Sequence, residues 1–252
     1  MPDETPAIAV RELRKVYGDT AAVDGLTLAV PRGCFFGFLG PNGAGKTTTI
    51  RMLIGLAPPT SGSIEILGLP MPARGLEIKR RIGVVPDESV LFDRLTGGEF
   101  LEFAGRMYGL ARGVAAARAG ELMTLFELDG DGRKLIAEYS KGMRKRLAMA
   151  AALIHRPEVF LLDEPFEGVD AVGARMMKDL LTDQVRHGAT VFLTSHVLEV
   201  VERLCDRVAI VHHGRLVMES SMEGLREGSE TLEDAFVRLV GAERMQEKLD
   251  WL

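Results

Sequence analysis

The chain has 252 residues, enough for one large domain or two small ones with an ample core. A formal net charge of −5, a pI near 5.7 and no basic tract longer than a few residues argue against a nucleic-acid partner. The two cysteines, Cys34 and Cys205, lie in apolar surroundings without metal-ligand spacing, and the start Met1-Pro2-Asp3-Glu4-Thr5-Pro6 is the opposite of a secretory leader, so the expected setting is cytoplasmic with reduced thiols.

Taken in order, residues 7–13 and 26–30 read as strands, the second stopped by Pro31-Arg32-Gly33. Between them Tyr17 precedes the turn signal Gly18-Asp19; an aromatic in an early loop is a core anchor or a platform for a purine ring. Residues 34–39 form an uncharged apolar run, a buried strand. Gly40-Pro41-Asn42-Gly43-Ala44-Gly45-Lys46-Thr47 follows, and Thr48 then leads into apolar residues at helical spacing (Ile50, Leu53, Ile54). Strand, G-x-x-x-x-G-K-T, helix is the phosphate-binding loop, or Walker A motif. Its glycines let successive N–H groups point at one anion, the helix start adds its unpaired donors, Lys46 places an ammonium on the phosphates, and the Thr47 hydroxyl suits Mg²⁺. The motif predicts that the chain binds a nucleoside triphosphate.

Pro58 to Gly62 breaks the helix, residues 63–67 alternate as a strand, residues 74–81 are a short helical patch, and residues 82–86 are a buried strand running into Asp87-Glu88. From 95 to about 156 strand signals stop. Thr96 and Glu99 predict a capping box, with further helices over 114–128 and 141–155; the cationic run Arg144-Lys145-Arg146 reads as a solvated helix face. Alternation then resumes: strand 159–162, helix 171–187, strand 190–194, helix 197–205, strand 207–211, with His212-His213-Gly214 as a hairpin turn into 215–219. Residues 232–252 read as a helix docked through Phe236, Leu239 and Val240, with Trp251 loose at its end. The expected fold is α/β: a P-loop NTPase core with a mostly parallel sheet, an N-terminal antiparallel β subdomain and an inserted α-helical subdomain at about 88–156. The expected domains are an ATPase domain over 1–228 and a helical extension over 229–252.

The apolar run at 159–162 delivers two acids, Asp163 and Glu164, at the strand end where open parallel sheets bind ligands. Asp163 suits a Mg²⁺ partner beside Thr47, and Glu164 suits a group that polarises an attacking water.

Gly40 to Thr48, Tyr139-Ser140-Lys141-Gly142-Met143, Asp163-Glu164, Gly168-Val169-Asp170 and Thr194-Ser195-His196 stand in an order and spacing that resembles the ATP-binding-cassette (ABC) family. The likeness is to the nucleotide-binding subunit of a transporter and covers residues 7–225. The resemblance implies a cassette that binds and hydrolyses ATP with Mg²⁺ and dimerises head to tail with a second cassette, most simply another copy of itself. It further implies a seat at the cytoplasmic face of the membrane, against a separate transmembrane permease subunit that the helical subdomain faces. It assigns Ser140 and Gly142 to the partner copy's γ-phosphate, Tyr17 to the adenine, His196 to the γ-phosphate and Asp170 to coupling between the two sites.

Three positions depart from the family pattern. Asp87 stands where the family usually has a metal-contacting Gln and is expected to keep a metal-directed oxygen; Lys141 replaces a glycine; Met143 replaces a Gln. Such signatures resemble cassettes of the drug- and antibiotic-export type, which favours an exporter. Rival readings are a soluble or regulatory ABC ATPase not coupled to transport, and a degenerate cassette that binds ATP without efficient hydrolysis.

Overall fold

The N-terminal segment is one long hairpin. β1 (Ile8–Tyr17) and β2 (Thr20–Val30) pair antiparallel from Ile8↔Val30 to Tyr17↔Thr20, leaving Gly18 and Asp19 as the turn. The sequence pattern ends the first strand at 13, begins the second at 26 and leaves Tyr17 in a loop. All three are corrected. The missed halves are mostly exposed or half-buried, and three register irregularities interrupt the ladder, so no two-residue alternation shows through. Pairing there is fixed by backbone bonds and by Gly18 at φ 55°. Tyr17 ends β1 and is 49 % exposed, with Lys15 Nζ 4.9 Å above its ring centre, so it is not a core anchor.

This computed structural model describes residues 5–88, 90–131, 133–228 and 230–241. The contacts divide the chain into two units, Met1–Gly75 with Phe192–Leu252, and Leu76–Val191.

In the first unit β4 (Ser61–Ile66) and β5 (Leu69–Met71) extend the hairpin into an antiparallel sheet of order β2-β1-β4-β5. A second sheet is built on the wholly buried β3 (Phe35–Leu39), which runs parallel to β9 (Arg207–His212); β10 (Arg215–Ser221) folds back on β9 through the predicted His213-Gly214 turn. Phe36 and Phe38 of β3 pack on Phe192 of β8 (Thr190–Ser195), with ring centres 5.9 and 5.2 Å apart. Asp24 on β2 links the two sheets: its carboxylate accepts from Arg215 at 2.6 Å and pairs with Arg14 at 3.1 Å. The Arg215 bond in particular holds that carboxyl below its ordinary range.

α1 (Lys46–Leu53) follows β3, and α7 (Leu198–Leu204) lies against β3 at Gly37, where a Cβ would sit 2.7 Å from Val201 Cγ1. α8 (Met222–Glu227), which was not foreseen, caps itself through Ser221. α9 (Leu232–Val240) is the described part of the C-terminal helix; Val240 is buried and Phe236 and Leu239 are half-buried, while the expectation for Trp251 lies outside the described residues.

Cys34 and Cys205 are both buried and unbridged. Burial pushes the Cys34 thiol up to about 12 and raises Cys205 as well. At pH 8 a thiol near that value is ionised about one part in ten thousand, and the thiolate is the reactive species. Neither cysteine is expected to react with a disulfide reagent such as DTNB in the native chain, and both are expected to react in denaturant. Stoichiometric labelling without denaturant would contradict this packing.

In the second unit α2 (Gly75–Arg81) leads into β6 (Ile82–Val85), which runs parallel to the wholly buried β7 (Val159–Asp163). The connection between them is helical: α3 (Gly97–Met107), α4 (Arg112–Leu125), short 3₁₀ turns at Asp129–Asp131 and Ile136–Glu138, then α5 (Lys141–Leu153). The capping box at Thr96 and Glu99 forms as the sequence predicts, with Glu99 accepting from the Thr96 N–H at 2.8 Å. α3 and α4 meet where Gly105 would bring a Cβ within 3.2 Å of Ala115. α6 (Ala171–Arg186) follows β7. Antiparallel sheet, parallel strands and helical connection together make the α/β architecture that the sequence anticipates.

Candidate functional site

The first unit carries the phosphate loop. β3 releases the chain at Gly40, where a Cβ would lie 2.4 Å from the Val211 carbonyl oxygen and 2.8 Å from Ala44 Cβ. Gly45 has φ 98°, and its Cβ would lie 2.3 Å from the Ala22 carbonyl oxygen of the hairpin. Backbone packing therefore requires glycine at both positions. The Ala44 N–H closes the turn on Pro41 O at 3.1 Å, and Gly214 N–H ties Ala44 O at 3.2 Å. Gly45 is also the N-cap of α1 and has no side chain with which to satisfy the helix start, so the donors of the first turn face no competing cap. Lys46 is 8 % exposed and donates to Gly40 O at 2.7 Å and Pro41 O at 3.2 Å. Asn42 is exposed; Thr47 and Thr48 are half-buried at the helix start. A glycine-shaped backbone, a helix N-terminus without a side-chain cap and a buried ammonium together fit a triphosphate.

His196 is the exposed residue directly after β8, and the Ser195 hydroxyl accepts the Val197 N–H at 3.0 Å, setting the turn into α7.

The second unit carries the acids. Asp163 ends β7 and is 2 % exposed. Glu164 follows at φ 45°, a left-handed backbone for a residue with a side chain, costing about 1 kcal/mol. The strain turns the chain sharply off the strand line, and the Glu167 N–H bonds back to Glu164 O at 3.3 Å. The loop ends at Asp170, which caps α6 by accepting from Val172 and Gly173 N–H at 3.1 and 2.9 Å; the Gly173 bond is the main cause of its lowered pKa.

The signature turn packs on this acidic loop. Ser140 is the N-cap of α5 and accepts from Met143 N–H at 3.2 Å; as an acceptor it still has its own O–H to donate to an anion. Gly142 is so close to the loop that a Cβ would sit 2.9 Å from Gly168 O. Lys141, in place of the family's glycine, lays its stem on Gly168 and bonds Glu167 Oε1 at 2.7 Å, a pairing that raises its pKa. Residues 140–142 and 164–170 are thus brought together, which no sequence spacing showed.

The cationic run after the signature is not a solvated face, and that expectation is corrected. Arg144 donates to Asp93 at 2.8 Å and to Ile136 O at 3.0 Å, and Arg146 donates to Phe126 O at 3.0 Å. Lys145 is 2 % exposed and donates to Asp87 O at 2.8 Å, Pro86 O at 3.1 Å and Asp163 O at 3.3 Å; burial lowers its pKa, opposed by Asp87 and Asp163. The signal was present: 145, 149 and 152 share one helical face, and Met149 and Ala152 are apolar and buried. The Asp87 carboxylate is itself exposed and reaches to 4.0 Å from Lys145 Nζ.

Asp87, Glu88, Lys141, Arg144, Lys145 and Glu167 line a cavity of 440 Å³. A larger cavity of 800 Å³ lies at the opposite end of β7, lined by α4, the turn at 153–158 and the end of α6, and holds none of the predicted residues. Parallel strands take ligands at their C-terminal ends, and the smaller, charged cavity borders the residues that follow β6 at that end. Tyr17, residues 40–48 and His196 belong to the first unit; Asp87, Ser140, Gly142, Asp163, Glu164 and Asp170 belong to the second. Among the described residues no cluster of three or more His, Cys, Asp or Glu is placed to hold a metal. A Mg²⁺ that keeps several waters and is bound through phosphate oxygens needs only one or two protein oxygens; the Thr47 hydroxyl in the first unit and the buried Asp163 carboxylate in the second are each donors of that kind.

The model of the ABC transporter family matches residues 23–167. The daunorubicin resistance ATP-binding protein DrrA3 of Streptomyces coeruleorubidus is 43 % identical over 220 residues, 87 % of this chain and 70 % of that protein. The Nod factor export ATP-binding protein I of Burkholderia orbicola (strain AU 1054) is 39 % identical over 87 % of this chain and 72 % of that one. Among solved structures, an ATP-binding subunit of an ABC transporter matches with TM-score 0.85 and 31 % identity, over 92 % of this chain and 99 % of that one. A bacterial ABC transporter cassette solved as a dimer matches with TM-score 0.79 and 25 % identity, over 85 % and 98 %. The fold and the phosphate loop define an ATP-binding cassette. The chain belongs to the ABC transporter family, as one of its ATP-binding, ATP-hydrolysing subunits.

Proposed function

We propose that this subunit drives export of a small molecule through a separate transmembrane permease, working as a dimer of two copies at the cytoplasmic face of the membrane. The observation that carries the ATPase reading is the loop at 40–48, where backbone packing demands glycine at 40 and 45 and the lysine is buried. Export is supported by relatives named for drug resistance and Nod factor export, and dimerisation by the cassette solved as a dimer.

Within this reading the residues take the following roles. Residues 40–48 bind the phosphates, with Lys46 neutralising charge between the β- and γ-groups. Thr47 and Asp163 would hold Mg²⁺, with Asp87 contributing an oxygen directly or through water; the ion would supply positive charge against that developing on the phosphates. Glu164 orients the attacking water, His196 hydrogen-bonds the γ-phosphate and Tyr17 stacks on the adenine. Ser140 and Gly142 meet the partner copy's γ-phosphate at the start of α5, and Asp170 couples the two sites. ATP closes the dimer and hydrolysis reopens it. The presence of Glu164 and His196 disfavours the degenerate, non-hydrolysing reading.

No described helix is long and apolar enough to cross a membrane. A permease would bind through a surface, and the second unit offers an apolar one. Phe92 packs edge-on against Phe100 and Phe103, at 5.9 and 5.3 Å between ring centres, yet Phe92 and Phe103 are 50 % and 43 % exposed, beside the exposed Val90 and Met107. Affinity isolation of the chain from membrane extracts is expected to recover a multi-helix membrane protein. Phe92→Ser with Phe103→Ser is expected to cut that recovery at least ten-fold while ATP binding stays unchanged. Recovery of ribosomes instead would favour the soluble regulatory reading.

A further inference from the structure

We infer that Lys145 is a positioning residue for ATP hydrolysis: its ammonium bridges the loop carrying Asp87 to the end of the strand carrying Asp163, and so fixes where Asp163 and Glu164 stand. The inference rests on the hydrolytic roles proposed above for those two acids.

The ladder between β6 and β7 runs Ile82↔Val159, Gly83↔Phe160, Val84↔Leu161 and Val85↔Leu162. The next rung would be Pro86 opposite Asp163. The ladder stops one residue short of it, and Pro86 has no N–H with which to extend the pairing. Beyond the last rung Lys145 ties the two strand ends: Nζ donates to the carbonyl oxygens of Pro86 at 3.1 Å, Asp163 at 3.3 Å and Asp87 at 2.8 Å. Three N–H groups meet three backbone carbonyls, which matches the full donor capacity of an ammonium.

Filling space does not account for the lysine. Its helical face continues into the buried Met149 and Ala152, and a methionine of similar length would pack there without the cost of burying a charge. What the ammonium adds is donors. Its anchor is α5, the helix headed by Ser140, so the signature turn, the Asp87 loop and the strand end bearing Asp163 meet at one side chain. Without it the strand end loses this bond one residue before Glu164, whose left-handed backbone needs support from its neighbours.

The test uses the full chain with its permease and compares wild type, Lys145→Met and Lys145→Arg. Lys145→Met is expected to lower kcat for ATP at least ten-fold while KM and the dissociation constant of ATP stay within two-fold, because residues 40–48 are untouched. Amide exchange at 87–88 and 164–167 is expected to rise at least ten-fold, with exchange at 40–48 unchanged. Lys145→Arg, which keeps charge and donors, is expected to recover a large part of kcat. A methionine variant with kcat within two-fold of wild type, a KM that rises in step, or exchange accelerated evenly across the chain overturns the proposal. A wild-type chain that hydrolyses no ATP would instead count against the functional reading, and the exchange pattern would still decide whether Lys145 holds these two segments.

Discussion

Replacing Glu164 with glutamine is expected to reduce ATP turnover by about a hundred-fold or more while leaving ATP affinity within three-fold, and to yield a dimer that persists in ATP. General-base assistance contributes roughly 10² to 10⁴ in rate. Glutamine keeps the length and shape of the side chain while removing its charge and basicity, so folding and nucleotide binding are expected to persist. The backbone supplies a second, independent comparison. Glu164 sits at φ 45°, where glycine is at ease and other residues are strained by about 1 kcal/mol. Glu164→Gly is therefore expected to lose turnover to the same degree without lowering, and even while raising, the melting temperature. A protein that becomes no less stable as it becomes inactive shows strain held in place for the chemistry. The measurements are phosphate release with the permease present, light scattering with and without ATP, and thermal melts. Turnover of Glu164→Gln within five-fold of wild type would move the base elsewhere.

The phosphate loop and the acid pair were legible because their signals are local. Gly40 to Thr47 is a contiguous string between a strand and a helix, and the run ending in Asp163-Glu164 is an apolar strand with two charges at its end. The capping box at Thr96 and Glu99 spans four residues and formed as written. What escaped depends on tertiary partners. The outer halves of β1 and β2 are mostly exposed or half-buried on both faces, so their pairing leaves no apolar alternation to read. Arg144-Lys145-Arg146 resembles a solvated run because sequence gives charge without burial. The carbonyls of Pro86, Asp87, Asp163, Ile136 and Phe126 that receive these side chains come from four different segments. Lys141 was read as a departure from the family's glycine, and its bond to Glu167, 26 residues on, could be found only once the loop after Glu164 was seen to fold against Gly142.

The same contrast between local and tertiary constraint sets the second large prediction, Gly45→Ala. Any side chain at φ 98° is strained, but here the added Cβ would also lie 2.3 Å from the Ala22 carbonyl oxygen and 3.3 Å from Val23 Cγ2. Ala22 cannot yield easily, since its neighbours are held in the hairpin by Val16↔Ala21 and Lys15↔Val23. The loop must move instead, and with it the start of α1 and the donors it presents, so ATP binding is expected to weaken by about two orders of magnitude or more, equivalent to roughly 3 kcal/mol. Stability is expected to fall too, by about 2–4 °C in melting temperature for each kcal/mol of unrelieved strain. Gly43→Ala is the control. Its φ of 81° carries a similar intrinsic penalty, yet nothing lies within 4 Å of its Cβ position, so its melting temperature is expected to drop by the conformational cost alone. Equal losses of stability in the two variants would mean that packing against the hairpin does not shape this loop, and that Gly45 serves backbone conformation only.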